Sequence, residues 1–271
     1  VSKSGGAGAS ASSRAIALVT SAGFAQAYRR TGVSLSVSAI AGEGTGMERD
    51  HDYSAACHFE DLKTPQEVGK SAGERAVKRL NARKIASQAV TVIYDRRVAS
   101  SLLGHLSSAI NGAAIARGTS FLKSKMGQQI FSKGISVIDD PLRLRGLASR
   151  PFDGEGLSSS RRELIADGIL TGWVLDLRSA RQLGLPPTGN GSRGLSSPPG
   201  PSTSNLHLKP GQLSPEEMIG SLKQGLYITE LIGNSVNLVT GDYSRGASGF
   251  WIENGELAFP VSEITIAGNL G

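Results

Sequence analysis

The chain has 271 residues, of which 39% are hydrophobic, so it is long enough to bury a sizeable core as one large domain or two smaller ones. Its formal net charge of +6 and pI near 9.6 permit attraction to nucleic acid or acidic peptides, but Lys and Arg are scattered and aromatic residues make up only 5%, so we do not expect a nucleic-acid-binding module. There is no apolar run of membrane-spanning length, no secretory signal and only one cysteine, Cys57; we therefore expect a cytoplasmic protein without an internal disulfide.

Two strands are predicted near the N-terminus. Residues 15–19 form an apolar run, and residues 33–40 alternate strictly between apolar and polar types. We expect the two strands to be antiparallel neighbours, joined by the polar, glycine-containing turn at residues 28–32. The alternation predicts that one face of the second strand is buried.

A helix is predicted from Thr64 to about Leu80. Thr64 is a typical N-cap, Pro65 suits the first helical position, and Glu67 completes a capping box. A β-branched strand follows at residues 89–94. We place a domain junction near residue 87, so that residues 1–86 form the end of an N-terminal α/β domain and residues 87–271 form a β-rich domain with a few helices. The predicted fold class is α+β.

The second part begins with a predicted helix over residues 97–116, whose apolar positions fall at helical spacing. A further helix is predicted from Ser214 to about Gly225, and the Pro, Gly, Ser and Thr-rich segment 186–205 is predicted to be a surface loop. Short strands are predicted at residues 134–138, 162–165, 170–175, 226–232, 236–239, 249–252 and 264–267.

Motifs for self-sufficient chemistry are few. The sequence has no H-E-x-x-H, no P-loop, no G-x-S-x-G elbow and no pair of C-x-x-C arms. Ser120 and Lys123 match the S-x-x-K pattern of serine acyl-enzymes, but the companion motifs are missing. His51, Cys57 and His58 carry zinc-binding side chains, yet their spacing is poor and no fourth ligand is near, so ordinary structural roles are favoured.

Two further groups of polar residues allow alternative interpretations. Asp139, Asp140, Asp153 and Glu155 could act as general acid and base, but their positions around two prolines favour turn chemistry. The second group either lines a peptide-binding groove or forms internal ion pairs, and we retain it as the candidate substrate-binding set. It consists of Arg193, Asp242 and Arg245.

Eight blocks of sequence, taken in order, resemble the TldD/PmbA family. They span almost the entire chain, and although each is weak alone, their order makes coincidence a poor explanation. The blocks lie at residues 23–24, 47–50, 120–122, 139–141, 149–156, 188–190, 240–246 and 251–255. Residues 149–156 and 242–249 look more like the TldE/PmbA branch than the TldD branch.

The resemblance implies a two-domain α+β subunit of a heterodimeric protease. In such a complex a TldD subunit carries zinc on an H-E-x-x-x-H helix, whereas TldE/PmbA does not. Aligned on His105, the first His and the Glu of that motif fall on Ser100 and Ser101 of this chain. We therefore expect no catalytic residue and no zinc in this subunit, with zinc in the TldD-like partner. In TldD relatives a further Cys ligand lies near the C-terminus, and because the chain begins at Val1 and stops at Gly271 we expect it to be a fragment lacking both ends.

The expected function is therefore assembly with a TldD-like metallopeptidase and guidance of unfolded peptides to its zinc. The family further implies maturation of microcin-type peptides and degradation of unstable antitoxins. Two alternatives remain open. One is a regulatory protein that binds DNA gyrase, as the family's older description suggests; the other is a homodimer that cuts peptides unaided.

Overall fold

The structure is a computed structural model that describes the backbone of residues 1–271 and every side chain except that of Asn234. Strands and helices are mixed along the chain, which confirms the predicted α+β class. The helices are α1 (Pro65–Lys78), α2 (Arg96–Ala109), α3 (Gly112–Ala116), α4 (Leu177–Leu183) and α5 (Pro215–Gly220). The strands are β1 (Lys3–Val19), β2 (Ala25–Ala41), β3 (Glu48–Ala56), β4 (Thr91–Tyr94), β5 (Val137–Asp139), β6 (Arg162–Ala166), β7 (Ile169–Leu170), β8 (Gly191–Ser192), β9 (Gly200–Pro201), β10 (Leu206–Leu208), β11 (Gln224–Val236), β12 (Asp242–Glu253) and β13 (Glu256–Asn269).

The first three strands form an antiparallel sheet in the order β1-β2-β3, and α1 packs on it. The Thr64 side chain accepts a hydrogen bond from the Glu67 amide at 3.2 Å, and the Glu67 carboxylate accepts one from the Thr64 amide at 2.7 Å. The start of α1 is therefore the predicted capping box. The contact with the sheet is made by small side chains, which let helix and sheet approach closely: Ala39, Ala41, Ala72 and Ala76.

The turn between β1 and β2 lies at residues 20–24, so the predicted turn at residues 28–32 is wrong. Thr20 and Phe24 close it, with the Thr20 amide donating to the Phe24 carbonyl at 2.9 Å, and Gly23 supplies a positive φ of +88°. Tyr28 instead pairs with Ile16 within the strands, a few residues before the turn. The small, polar start of the chain joins β1 because pairing with β2 satisfies its backbone, despite its weak strand propensity. The two strands are antiparallel neighbours, as predicted.

The remaining strands build two larger sheets. One has the order β13-β12-β11-β4, with β4 parallel to β11 and the other pairs antiparallel. Asn254 and Gly255 connect β12 to β13 with φ values of +50° and +82°, the backbone that a two-residue hairpin turn requires. The other sheet has the antiparallel order β10-β5-β6-β7. Among the predicted strands, residues 236–239 fall mainly in the turn before β12, and residues 170–175 form strand only at their start.

The predicted helix over residues 97–116 is broken in two. The Asn111 side chain accepts a hydrogen bond from the Ala113 amide at 3.0 Å and so caps a new helix, α3. The Gly112 amide donates to the Val174 carbonyl at 2.8 Å, and a Cβ at Gly112 would stand 2.4 Å from a methyl carbon of Leu175. The break therefore lets the backbone of residues 111–112 lie directly against the segment before α4.

Two other segments differ from the sequence-based expectation. The helix that begins after Ser214 ends at Gly220 rather than near residue 225, because β11 begins at Gln224. The loop at residues 186–205 carries the short pair β8 and β9, and α4 precedes it without having been predicted.

The core of the second part divides into two clusters. One lies where α2, α3 and α4 meet the β5-β6-β7 region and includes Trp173. The other lies on one face of the β13-β12-β11-β4 sheet and includes Trp251, and Val98 of α2 packs against this cluster. Because α2 contributes to both clusters, its position is fixed by packing on two sides.

Ion pairs and aromatic contacts connect the first sheet to residues 87–271. The Arg79 guanidinium, at the end of α1, lies 2.6 Å from the Glu230 carboxylate on β11. At the tip of the β1-β2 hairpin, the rings of Phe24 and Tyr28 lie 5.0 Å and 5.1 Å from that of Phe152, both edge to face. The predicted boundary near residue 87 falls in the link between α1 and β4 and stays a prediction. None of the helices in the described chain has the length and apolar character to cross a membrane.

Candidate functional site

A buried group of charges surrounds the start of α2. The Asp95 carboxylate caps the helix by accepting from the Arg97 amide at 2.9 Å, and it also accepts from the Tyr227 hydroxyl at 2.7 Å. The Arg97 guanidinium lies 2.7 Å from the Asp50 carboxylate on β3. Burial opposes ionisation of Asp95, but the Arg97 amide, the Tyr227 hydroxyl and the Arg97 charge outweigh it and lower its pKa. The orientation of α2 is thus tied to the first sheet.

A cavity of about 510 Å³ adjoins this group. One side is charged and the other is apolar, and the lining residues include Arg75, Lys78, Leu257 and Phe259. These residues come from α1 and from β13, which are far apart in the sequence. No pattern in either segment alone indicates such a cavity, so it was not predictable from the sequence.

Ser100 and Ser101, which the family resemblance places at the His and Glu positions of an H-E-x-x-x-H motif, bond to their own helix. The Ser101 hydroxyl donates to the Val98 carbonyl at 2.7 Å, and the Ser100 hydroxyl reaches the Arg97 carbonyl at 3.5 Å. Serine commonly bonds to a carbonyl of the preceding helical turn. Neither hydroxyl is therefore directed at a ligand by the protein around it.

His105 lies one turn further along α2, in a group of polar side chains from three elements. Its ring centroid is 5.9 Å from that of Tyr243 on β12, edge to face. Tyr94, at the end of β4, lies close to the Tyr243 hydroxyl, and Arg245 on β12 lies close enough to influence both Tyr94 and His105. Burial lowers the pKa of His105 and the Arg245 charge lowers it further, while burial raises the pKa of Tyr94.

The polar atoms in this group are incompletely satisfied. His105 Nε2, the Tyr243 hydroxyl and Arg245 Nε are buried, and none of them has a hydrogen-bond partner among the described residues. Buried polar atoms nearly always have partners, and leaving one unpaired costs about 1–3 kcal/mol. No signal in the sequence joins these four residues, since they come from separate segments and only the packing of α2 on the sheet brings them together.

These residues do not fit a hydrolytic zinc ion. Zinc is held by imidazole, thiolate and carboxylate ligands, and this group offers one imidazole beside a guanidinium that would repel a dication. Within the part of the chain that the structure describes, no three His, Cys, Asp or Glu side chains converge in a way that could hold a metal.

The other sequence candidates for a metal lie on the first sheet or directly after it. His51 pairs with Ser38 on the first sheet and is exposed. Cys57 follows β3, and its thiol lies 3.5 Å from the Gly146 carbonyl. His58 is exposed and precedes a short 3₁₀ turn. These placements favour the structural roles expected for them.

The acidic residues around the two prolines organise backbone turns. The buried Asp153 carboxylate accepts from the amides of Glu155, Leu157 and Gly191 at 2.8–2.9 Å. The buried Asp139 carboxylate in turn is bonded by Ser204 through both its amide and its hydroxyl. Carboxylates saturated in this way are poorly placed to exchange protons with a substrate.

The remaining two acidic residues also bond to backbone amides. Asp140 accepts from the Leu142 amide at 3.0 Å, and Glu155 accepts from the Leu177 amide at 2.8 Å. Burial raises the pKa of Glu155, and the nearby charges of Asp176 and Asp153 raise it further.

The S-x-x-K pattern is also structural in its surroundings. The Ser120 side chain is buried and donates to the Ala109 carbonyl at 2.6 Å, where α2 ends. The Lys123 ammonium lies 3.4 Å from the Gly118 carbonyl. Ser120 and Lys123 therefore each bond to the backbone.

The three candidate substrate-binding residues have different environments. Arg193 is exposed in the turn between β8 and β9. Asp242 is exposed and accepts from the Thr240 hydroxyl at 2.6 Å and the Asn269 amide at 3.0 Å, both of which lower its pKa. Asp242 and Arg245 lie three residues apart in regularly paired strand, so their side chains point to opposite faces of the sheet. Substrate binding by this set stays a prediction, and only Arg245 lies beside His105.

Comparisons with known proteins give a consistent result. The model of the PmbA/TldA metallopeptidase central domain matches residues 2–80, and that of the PmbA/TldA metallopeptidase C-terminal domain matches residues 87–271. The metalloprotease PmbA of Escherichia coli O157:H7 is 44% identical over 248 residues, which cover 92% of this chain and 53% of that protein. The chain thus spans about half the length of the curated relatives it matches.

Solved structures share the fold. A proposed modulator of DNA gyrase from Bacteroides thetaiotaomicron superposes with a TM-score of 0.89 at 30% identity, covering 97% of this chain and 58% of the other. TldE from Thermococcus kodakarensis superposes with a TM-score of 0.88, covering 97% of this chain and 60% of the other; at 24% identity, this likeness supports the fold alone.

Proposed function

Since this chain belongs to the PmbA/TldD family of metallopeptidases, we propose that it serves a TldD/TldE-type peptidase complex as the subunit that lacks zinc and guides unfolded peptides. A TldD-like partner supplies the zinc, which when bound activates the water that cleaves the peptide bond. The complex works in the cytoplasm. Microcin-type peptides are the first substrate class to test, because the family resemblance implies them.

The observation that carries this proposal is the arrangement of α2. Ser100 and Ser101 occupy the positions of the expected His and Glu, and both hydroxyls bond to carbonyls of their own helix. His105 remains, but Arg245 beside it opposes a metal cation. A zinc hydrolase requires about three protein ligands and a general base, and α2 supplies one ligand type.

A role in holding peptides is supported by the strands at the sheet edges. β1 and β13 each lie at the edge of a sheet. An extended peptide can add to such an edge through main-chain hydrogen bonds, which give affinity with little demand on sequence. Arg83 already covers part of β13, since its amide donates to the Pro260 carbonyl at 2.9 Å. The rest of that edge, toward Asn269, is the better candidate.

The deciding experiment measures peptidase activity and bound zinc together. The full-length protein is assayed on an unfolded peptide alone and mixed with a TldD-like subunit, and that subunit alone is the matched control. We expect no zinc and no cleavage from this protein alone, and more cleavage from the mixture than from the partner. One zinc per chain with cleavage by this protein alone would overturn the proposal in favour of the self-sufficient homodimer.

A further inference from the structure

The polar group between α2 and the sheet lacks a negative charge. Arg245 forms no ion pair within 4.0 Å with any described acidic residue, and the nearest acidic residue along β12, Asp242, points to the opposite face. Tyr243 and Arg245 lie two residues apart on β12 and share one face of the sheet, His105 packs edge to face on Tyr243, and the Tyr94 hydroxyl lies near that of Tyr243. The side chains therefore present hydrogen-bond donors and one uncompensated positive charge.

Such a group suits a planar anion. Guanidinium and hydroxyl donors form short, strong hydrogen bonds to a carboxylate, and the imidazole can donate from Nε2 in the appropriate tautomer. The unpartnered atoms are the ones that such a ligand would satisfy: His105 Nε2, the Tyr243 hydroxyl and Arg245 Nε. His105 and Arg245 are half-buried, so part of each side chain reaches solvent, although these three atoms are covered in the free protein and a ligand must displace neighbouring side chains to reach them.

We propose that Arg245, Tyr243, Tyr94 and His105 form a binding site for the carboxylate of a peptide's C-terminus. The peptide as ligand rests on the proposed function, whereas the affinity for a carboxylate rests on the four side chains alone. The site holds one end of the substrate at the place where a related subunit would hold its metal. A carboxylate seated there also restores the charge balance around Arg245.

The test compares two peptides that differ only at the C-terminus. Calorimetric titration of the full-length protein uses an unfolded peptide with a free C-terminal carboxylate and the same peptide as its amide, at constant ionic strength. We expect the acid to bind about tenfold more tightly than the amide, since hydrogen bonds to a charged group are stronger than those to a neutral one. Arg245→Gln should abolish this difference, and His105→Gln should reduce it.

Arg29→Gln is the matched control, because it removes an exposed arginine from a strand of the first sheet and should leave the difference unchanged. Equal affinity for the two peptides, no binding of either, or an unchanged preference in Arg245→Gln would each overturn the proposal. Competition by inorganic phosphate as strong as by the peptide acid would also overturn it, since the site would then accept any anion. If the protein prefers the peptide acid but its mixture with a TldD-like subunit does not cleave peptides, only the proposed function is overturned. If the mixture cleaves peptides but the protein binds acid and amide equally, only this inference is overturned.

Discussion

His105 on α2 and Tyr243 on β12 meet edge to face at 5.9 Å, and each carries a buried polar atom without a hydrogen-bond partner among the described residues. Tyr94 lies near Tyr243, and Arg245 lies near both Tyr94 and His105. The His105 ring is thus held by aromatic packing and lies beside the Arg245 cation.

The stability of the protein should fall in mild acid because of His105. Burial and Arg245 lower its folded-state pKa below the ordinary value of 6.5. Above pH 6.5 the His105 ring is neutral in both the folded and the unfolded state. As the pH falls through 6.5, the ring binds a proton in the unfolded chain but not in the folded chain. The free energy of unfolding therefore decreases until the pH reaches the folded-state pKa. Urea midpoints at pH 7.5 and 5.5 should differ less for His105→Gln than for the natural chain. His58→Gln, at an exposed histidine, is the control, and an unchanged pH dependence in His105→Gln would contradict the prediction.

Gly156→Ala should loosen the tip of the hairpin. Gly156 has a φ of +85°, and a Cβ there would stand 2.9 Å from the ring of Phe24. Gly127 has a similar φ of +73° with no atom within 4 Å of its Cβ position. Both alanine variants should lose about 1–2 kcal/mol from the left-handed backbone, and Gly156→Ala should lose about 1 kcal/mol more through displacement of Phe24. Chemical denaturation measures the free energy of unfolding of both variants. Equal losses would show that the Phe24 ring moves aside at no measurable cost.

Arg97→Met should be strongly destabilising. The Arg97 and Asp50 side chains are 7% and 5% exposed and lie 2.7 Å apart, so removing Arg97 leaves the buried Asp50 carboxylate with only the more distant Arg79 guanidinium, 3.9 Å away. We expect a loss of about 3 kcal/mol in the free energy of unfolding, partly recovered when Asp50→Asn is added. Lys70→Met, in an exposed pair with Glu74 on α1, should change it by less than about 1 kcal/mol. If Arg97→Met and Lys70→Met lower the free energy of unfolding by the same amount, the buried pair does not hold α2 against the first sheet.

Asp153→Asn separates a structural role from acid–base chemistry. An amide group cannot accept all three hydrogen bonds that the carboxylate receives, so the variant should lose about 1–3 kcal/mol of stability. Peptide cleavage by the mixed complex should be retained below the lowered melting temperature. Asp140→Asn, which accepts from the Leu142 amide, is the milder control. If the variant is fully folded and peptide cleavage is nevertheless lost, Asp153 instead takes part in the reaction.

Local signals in the sequence account for the elements that were predicted well. The capping box at Thr64 and Glu67 determines the start of α1 by contacts within one turn, and these contacts are readable from spacing alone. The hairpin turn was misplaced because Gly32 looked like a turn glycine, whereas Gly23 performs that role. Nothing within either segment separates the two glycines, since the choice depends on which residues of β2 pair with β1.

The candidate site depends even more on long-range packing. Ser100 and Ser101 were identified because a family pattern assigns those positions. Tyr94 belongs to no motif, and Tyr243 lies in the family block 240–246 without an assigned role. Their partnership with His105 arises only when β4, β12 and α2 assemble. The break at Asn111 was missed for a similar reason: an Asn-Gly pair can interrupt a helix, but the Val174 carbonyl that it serves lies far along the chain.

The parallel pairing of β4 with β11 delays the completion of this sheet during synthesis. Thr91 pairs with Gly225, and all of α2, α3, α4 and α5 lie between them in the sequence. During synthesis β4 therefore emerges long before its partner, with unpaired backbone groups and the apolar side of Val92 exposed. Such distant pairings fold slowly and leave time for aggregation. Newly made chains should thus depend on chaperones until residue 228 has left the ribosome.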